Sequence, residues 1–323
     1  MALFKLGRRL AAIALASLAL GSGAARAEQI SVTHWGVLMY GAPYAVGMEK
    51  GLFKQAGIDI TGILTSKGGG TTVRNVLAGG LPYGEVSLAA AVAAANQGIP
   101  IKIVNTGAAS VADIIWVTTP SNPVRTIKDL EGRKLAYTSP KSVTDMLSIM
   151  AITAAGADLK KIERISTGGI GGGLTALTQG GVAAAPILEP IWSRDQGKYR
   201  PVFEVKDVLP PMTQTVGITT VEFARNHPEK LRAIIEGRRK AVDFIHANPA
   251  EAGRIFAAAY KLPPELGERA IRNMIAVGYW GRGAFDVAAM DRMVEGLRII
   301  GEVTGPVEWD KLIDRSFLPA DQK

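Results

Sequence analysis

The chain has 323 residues, 37 Lys and Arg against 29 Asp and Glu, a formal net charge of +8 and no cysteine. That length suits about two domains, at roughly 100–200 residues each, and sustains a core without covalent staples. Lack of cysteine excludes disulfides, thiolate metal sites and a lipid-bearing cysteine behind a leader, and a modest positive excess with no basic block denser than Arg238-Arg239-Lys240 gives no sign of nucleic-acid binding. Met1 to Arg9 carries Lys5, Arg8 and Arg9 and no acid, Leu10 to Leu20 is apolar, and small residues lead to Ala25-Arg26-Ala27. A basic head, a short apolar run and an A-x-A-like end predict a secretory signal peptide, 1–27, cleaved after Ala27. The run is too short to be a membrane span, which takes roughly 20 residues. Arg8-Arg9 raises a twin-arginine route, but Gly7 and Leu10-Ala11 fit that signal poorly, so the general route is favoured. Removing Lys5, Arg8, Arg9 and Arg26 leaves the mature chain at +4. It is expected to be free in the periplasm.

Ile30 to Thr33 alternates as a first strand. A glycine-containing loop, His34 to Pro43, leads into a helix over Pro43 to Gln55, which Gly57 closes. Ile58 to Leu64 is a strand; Gly68-Gly69-Gly70 leads into a helix over Thr71 to Ala78. Val86 to Leu88 is a strand before an Ala-rich helix, and Ile101 to Thr106 and Ile114 to Thr118 are strands. After the break Thr119-Pro120-Ser121-Asn122-Pro123, a new unit runs through the strand Lys134 to Thr138, the helix Val143 to Ala155 and the strand Ile162 to Ser166. A loop carrying Gly168 to Gly173 precedes a helix over Leu174 to Gln179, and Ala183 to Leu188 is a further strand. Beyond Pro210-Pro211 and a strand at Gly217 to Thr220 come amphipathic helices over Glu229 to Ala247, Ala250 to Tyr260 and Val287 to Gly301. In these, Arg238-Arg239-Lys240 reads as a solvated face. Alternation of strands and helices predicts an α/β fold with mostly parallel sheets.

Ligands of open α/β sheets bind beyond the carboxyl ends of the strands, so the loops after strands carry the candidates. Several open helices, whose first N–H groups lack internal partners and whose dipole favours an anion. Gly69, Gly70, Thr71, Ser87, Ser139, Ser142 and Thr144 are such positions, with Lys67, Arg74 and Lys141 close in sequence. The same Ser and Thr side chains serve equally as ordinary N-caps. Trp35, Tyr40 and Trp192 offer aromatic walls for a small organic ligand, while Trp116 and Tyr44 read as core. Glu189 would draw an ammonium or a pyrimidine amine if it faces the cleft; if it faces the hinge, a simple anion fits better. Neither glycine run is followed by the Lys-Ser or Lys-Thr of a phosphate loop. Of the three histidines, His227 and His246 read as surface; His34 reads as structural or as stacking on a ligand. No metal spacing and no nucleophile elbow occur, so no cofactor and no enzymatic centre is expected.

Ala42 to Ile58, with Gly51-Leu52-Phe53-Lys54-Gln55-Ala56-Gly57-Ile58, resembles the opening helix of substrate-binding proteins of nitrate, sulfonate, taurine and thiamine-precursor ABC importers. Leu77-Ala78-Gly79-Gly80, Gln97 to Ile101, Ile127 to Leu135, Leu188-Glu189-Pro190 and Ala247 to Ala252 continue the resemblance in the same order. The resemblance implies a two-lobed periplasmic binding protein fold of the second type. Lobe one would be 28–118 plus 216–323, lobe two 119–215, with crossing strands near Val117 to Pro120 and Thr213 to Gly217 as the hinge and the ligand in the cleft between the lobes. It implies a small-molecule ligand, an ABC permease in the inner membrane as partner, and a monomer. Gly80 to Glu85 and Gly181 to Ala184 lack the Asp common in the family's turns there. Two other classes share the features: a pyrimidine-precursor synthase-like enzyme with a lysine-bound pyridoxal cofactor, and a periplasmic sensor that recruits a receptor.

Overall fold

The computed structural model describes residues 27–140 and 142–323. Residues 1–26 of the expected signal peptide 1–27, and Lys141, lie outside them. Strand β1 (Ala27–Thr33) leads through helices α1 (Ala42–Glu49) and α2 (Leu52–Ala56) to β2 (Asp59–Ser66). The single helix expected over Pro43 to Gln55 is thus two. Gly51 adopts φ 64°, a left-handed conformation that breaks the hydrogen-bond ladder and restarts it. Then come α3 (Gly69–Ala78), β3 (Gly84–Ser87), α4 (Leu88–Asn96), β4 (Ile101–Thr106) and β5 (Ile115–Thr118).

A second run contains β6 (Lys134–Tyr137), α5 (Val143–Ala154), β7 (Glu163–Ser166), α6 (Ile170–Thr178) and β8 (Ala185–Ile187). It closes with α7 (Ile191–Arg194), β9 (Arg200–Glu204), α8 (Val205–Val208) and β10 (Thr215–Thr220). The last third is helical: α9 (Val221–Asn226), α10 (Pro228–Ala247), α11 (Pro249–Tyr260), α12 (Pro264–Ala276), α13 (Val287–Ile299) and α14 (Trp309–Leu312). Helix α12 is absent from the sequence reading. None of the described helices is long and apolar enough to cross a membrane.

The first sheet has the order β2-β1-β3-β10-β4, in which only β10 runs antiparallel to its neighbours. In the second, β5 lies antiparallel between β8 and β9, and β6 pairs in parallel with β7. A parallel bridge from Leu135 to Ala184 joins β6 to β8. The second order is therefore β7-β6-β8-β5-β9, the same pattern as the first. In each sheet the antiparallel strand is the one that has just crossed from the other unit. By sheet membership β5 belongs with the second sheet, so the first crossing falls at 107–114 rather than near Val117 to Pro120. The Pro-rich break marks the end of that strand, not the crossing.

The cores follow the alternation of the strands. Ile30, Val32, Val86, Ile103, Val216 and Ile218 are all fully buried about the first sheet. A smaller apolar cluster of the second unit holds Ile115, Val117, Leu177 and Ile187, with Trp192 and Tyr199 packed against it. Each such side chain contributes roughly 1.5–3 kcal/mol by leaving water. Trp116 is fully buried and donates its Nε1 proton to the Ala136 carbonyl at 2.9 Å, in keeping with a core role.

Arg238 departs from the solvated face expected for it. Its side chain is 2% exposed and its Nε donates to Glu85 Oε2 at 3.1 Å. Glu85 also accepts from the Tyr44 hydroxyl at 2.6 Å and from Thr215 Oγ1 at 2.7 Å. Both charges are out of water and persist only because each is paired and hydrogen-bonded. The long arm of Arg238 reaches inward from α10 while Arg239 stays outside with Glu236 and Asp243.

Candidate functional site

Ligands of open α/β sheets bind beyond the carboxyl ends of the parallel strands, and that region is the candidate trough. On the first side, His34 follows β1 with φ 56°, a left-handed conformation disfavoured for any residue but glycine. The turn is held because His34 donates its N–H to the Ser66 carbonyl at 2.9 Å and its own carbonyl accepts from Val37 and Leu38, each at 3.0 Å. Burial pushes the His34 imidazole pKa down. The ring is therefore neutral near pH 7. Trp35 is half-buried and meets Tyr260 edge-on at 5.2 Å. Tyr40 is 6% exposed and stacks on Tyr279, centroids 6.4 Å apart and planes 7° from parallel.

Helix α3 begins at Gly69, two residues before the expected start, so Gly69 and Gly70 form its first turn. Gly69 has no space for a side chain: a Cβ there would lie 2.4 Å from Ala90 Cβ and 3.0 Å from Ser87 Oγ. The starts of α3 and α4 consequently lie side by side. Ser87 caps α4, its Oγ accepting from the Ala90 N–H at 3.3 Å. Thr71 Oγ1 accepts from Arg74 Nη2 at 2.9 Å.

On the second side, Ser142 caps α5, accepting from the Asp145 N–H at 3.2 Å. Its hydroxyl lies 3.0 Å from Thr138 Oγ1 and 3.0 Å from Thr144 Oγ1. Thr144 is buried, and its Oγ1 accepts from the Thr138 N–H at 3.0 Å. This hydroxyl fixes the strand-to-helix turn, whereas Ser139 is exposed on the rim. Helix α6 starts at Ile170, so Gly171 to Gly173 lie inside its first turn instead of in a preceding loop. Trp192 is half-buried against the second core.

Glu189 faces the junction, not open space. It is 2% exposed, and its oxygens accept from Ser193 N at 3.1 Å, Ser193 Oγ at 2.9 Å and Asn273 Nδ2 at 2.6 Å. Asn273 lies on α12, which packs against α11 of the first unit, so this contact joins the two units. Gly69 and Ser87 thus meet where α3 and α4 start, Ser142 caps α5, Ser139 is exposed, and Trp35 and Trp192 are half-buried. Tyr40, Thr144 and Glu189 are buried.

Four residues in the floor have no counterpart in the sequence reading of the site: Asp113, Gln214, Tyr279 and Asn273. Asp113 is 4% exposed and accepts from Gln214 Nε2 at 3.2 Å. Burial in a low-dielectric floor pushes its carboxyl pKa up to about 7, with Glu189 adding in the same direction. Two cavities adjoin these residues, the first lined in part by Asn273 and the second by Ala112. One of about 520 Å3 runs along α12 beside Glu268 and Arg269. One of about 290 Å3 is lined by Val111, Leu209 and Pro210 of the crossing segments. Neither includes a predicted wall residue.

The family model described as NMT1/THI5 like matches residues 39–252. The chain belongs to the NMT1/THI5-like family. Curated proteins give no match. Among solved structures, the periplasmic aliphatic sulphonate binding protein SsuA of Escherichia coli is similar at TM-score 0.74 and 15% identity, over 90% of this chain and 92% of that one. The periplasmic nitrate-binding protein NrtA of Synechocystis PCC 6803 is similar at TM-score 0.68 and 15% identity, over 92% and 90%. The desulfurization enzyme DSZB is similar at TM-score 0.65 and 13% identity, over 90% and 97%. This NMT1/THI5-like chain has the periplasmic binding protein fold.

Proposed function

We propose that the chain is the solute-binding component of an ABC importer, holding a small organic anion in the trough and passing it to an inner-membrane permease. The observation that supports this reading is that helices start directly after strands in both units: α3 and α4 in one, α5 and α6 in the other. A helix start favours an anion by roughly 0.3–1 kcal/mol when exposed and up to about 2 when partly buried. Two units each contributing starts bind an anion better closed than open, and only such differential affinity drives closure. Likeness to sulphonate- and nitrate-binding proteins supports the class of ligand. In this reading Gly69, Gly70 and Thr71 supply amides and a hydroxyl, Ser87, Ser139 and Ser142 supply hydroxyls, and Trp35 and Trp192 flank an organic body. The lobes divide at 107–114 and 209–214, the mature protein acts in the periplasm as a monomer, and it needs no cofactor.

Thermal-shift screening of the purified protein with alkanesulfonates, carboxylates, nitrate and pyrimidines tests the reading. A rise in melting temperature with one anion class, and none with its neutral amides, is the expected result. The fold of DSZB favours an enzyme as the second reading. Turnover of a bound solute, or absorbance of the purified protein in the pyridoxal band, would replace the transport role with that one.

A further inference from the structure

We infer that the outer edge of strand β2 is a self-association surface: it takes the same strand of a second copy of this chain, antiparallel about a two-fold axis at Leu64, in a reversible dimer. This concerns how copies meet. It is independent of the ligand and of the transport role, in which a single copy carries the solute.

An edge strand offers a row of unpaired main-chain groups, and chains blunt such edges with charges, proline, short length or a cover. Of the edge strands here, β2 and β4 bound the first sheet, and β7 and β9 the second. The C-terminal segment covers β4: Asp314 donates its N–H to the Ile103 carbonyl at 2.9 Å, and Ile313 bridges Ile103 in parallel. Strand β7 has four residues and carries Glu163 and Arg164. Strand β9 has five, with Pro201 inside and Arg200 and Glu204 at its ends. Strand β2 has eight, and from Ile60 to Ser66 it holds no charge and no proline. Among the described strands it pairs with β1 alone. It also displays Leu64, which is 45% exposed.

Direction and register decide the occupant. The Leu64 carbonyl accepts from Ser31 Oγ at 3.1 Å and the Ser66 carbonyl from the His34 N–H at 2.9 Å, so both turn toward β1. Successive residues of a strand turn their peptide groups to opposite edges, which leaves those of Ile63 and Thr65 facing out. Thr61 is passed over in the pairing with β1, so the regular stretch is Gly62 to Ser66, with Leu64 at its centre. With the axis there, Ile63 of each copy exchanges both main-chain hydrogen bonds with Thr65 of the other. The two Leu64 side chains then meet in the closer, non-hydrogen-bonded pair. Gly62, which has no side chain, lies opposite Ser66 and crowds neither leucine. Charge agrees with this direction. Asp59 stands at one end of β2 and the exposed Lys67 just past the other. Antiparallel pairing brings each Lys67 toward the other copy's Asp59, whereas parallel pairing would set like charges together. Lys54 lies 3.4 Å from Asp59 and leaves part of its carboxylate exposed to a second cation. A contact along one strand buries less than the roughly 1,200 Å2 of a stable complex, so the dimer forms and parts with concentration.

Sedimentation velocity of the mature chain from about 1 μM to about 1 mM, with amide exchange read at both ends of the range, tests the pairing. The sedimentation coefficient should rise from that of a monomer toward that of a dimer. At the upper end the Ile63 and Thr65 amides should exchange at least about fivefold more slowly, while the Leu64 amide is unchanged. Leu64→Lys sets two ammonium groups face to face on the axis and should keep the chain monomeric throughout. Ile299→Lys, at an exposed apolar position on α13, should associate as the wild type does. Lys67→Glu should raise the dimer Kd roughly three- to tenfold at low salt, and adding Asp59→Lys should recover most of that loss. Should Leu64→Lys fail to fold, the wild-type exchange pattern and the charge swap carry the test. A monomer at every concentration, or a dimer that survives Leu64→Lys, overturns the pairing, and the transport role stands under either result. A dimer that leaves Ile63 and Thr65 unprotected overturns it too. So does protection of those amides in a monomer of the unprocessed chain, which would assign the edge to residues 1–26.

Discussion

At the residue scale, the buried charges govern what the chain tolerates. Among the described residues Arg238 is the cation paired with Glu85, and the pair is sealed from water at 2% and 0% exposure. Arg238→Met leaves Glu85 buried with hydroxyls only, and should cost about 3–5 kcal/mol in urea unfolding. Adding Glu85→Gln to that variant should recover part of the loss, because the unpaired charge is then gone; no recovery would show that Arg238 acts through packing alone. Asp113 makes stability depend on pH. Its carboxyl is raised to about 7 in the folded chain against an ordinary value near 3.8. The folded state therefore binds a proton that the unfolded state has released. Stability contributed by this group is full below the ordinary value and falls as pH rises through about 7. Ligand-free protein should accordingly lose stability between about pH 5 and pH 8, and Asp113→Asn should lose less over the same range. Parallel urea midpoints at the two pH values check this.

At the scale of elements, the close approach of α3 to α4 is the feature most easily broken. A methyl at Gly69 meets Ala90 Cβ at 2.4 Å, well inside contact. Gly69→Ala should push the two helix starts apart and cost about 1–3 kcal/mol in stability, whereas Gly70→Ala, with only Arg74 Nη1 at 3.8 Å, should leave stability unchanged. Equal effects of the two would refute side-by-side starts. Much of this level was legible beforehand. Strand alternation and glycine punctuation gave the two α/β units, and the loops after strands do open helices at Gly69, Ser87 and Ser142. What stayed hidden depends on distant partners. Ser87 and Ser142 look alike whether they cap a helix or meet a ligand. Arg238 looks like its neighbour Arg239 until Glu85, 153 residues away, is placed beside it. Asp113 sits in Ala112-Asp113-Ile114 with no local motif. Helix α12 was there to be found: Pro264 opens it, and Leu266, Ala270, Ile271 and Met274 recur at helical spacing, all buried. Overlooking it hid Asn273 and with it the partner of Glu189.

At the scale of the molecule, two sheets with the same strand order are joined by two short crossing segments, by α13, which packs on both α4 and α5, and by the contact of α7 with α12. The Glu189–Asn273 bond at 2.6 Å is the most specific part of that contact. Asn273→Ala removes one of three donors to a buried carboxylate, a loss of about 1–3 kcal/mol, and it does so at the junction rather than inside either core. A variant that simply lowered stability would shift the urea midpoint and leave the shape of the folded protein unchanged. A variant that loosened the junction would also change the separation of the two units. Small-angle scattering of the ligand-free protein should therefore give a larger radius of gyration for Asn273→Ala than for wild type. A saturating anion should bring both to the same compact value, because ligand contacts made from both sides then replace the missing bond. At about a hundredfold excess over Kd, bound anion should stabilise the wild type by roughly 2.7 kcal/mol. The same excess measured against the variant's own Kd should give the same increment, with the cost of closing appearing as weaker affinity. Identical radii without ligand, together with unchanged affinity, would show that the Glu189–Asn273 bond plays no part in holding the units together.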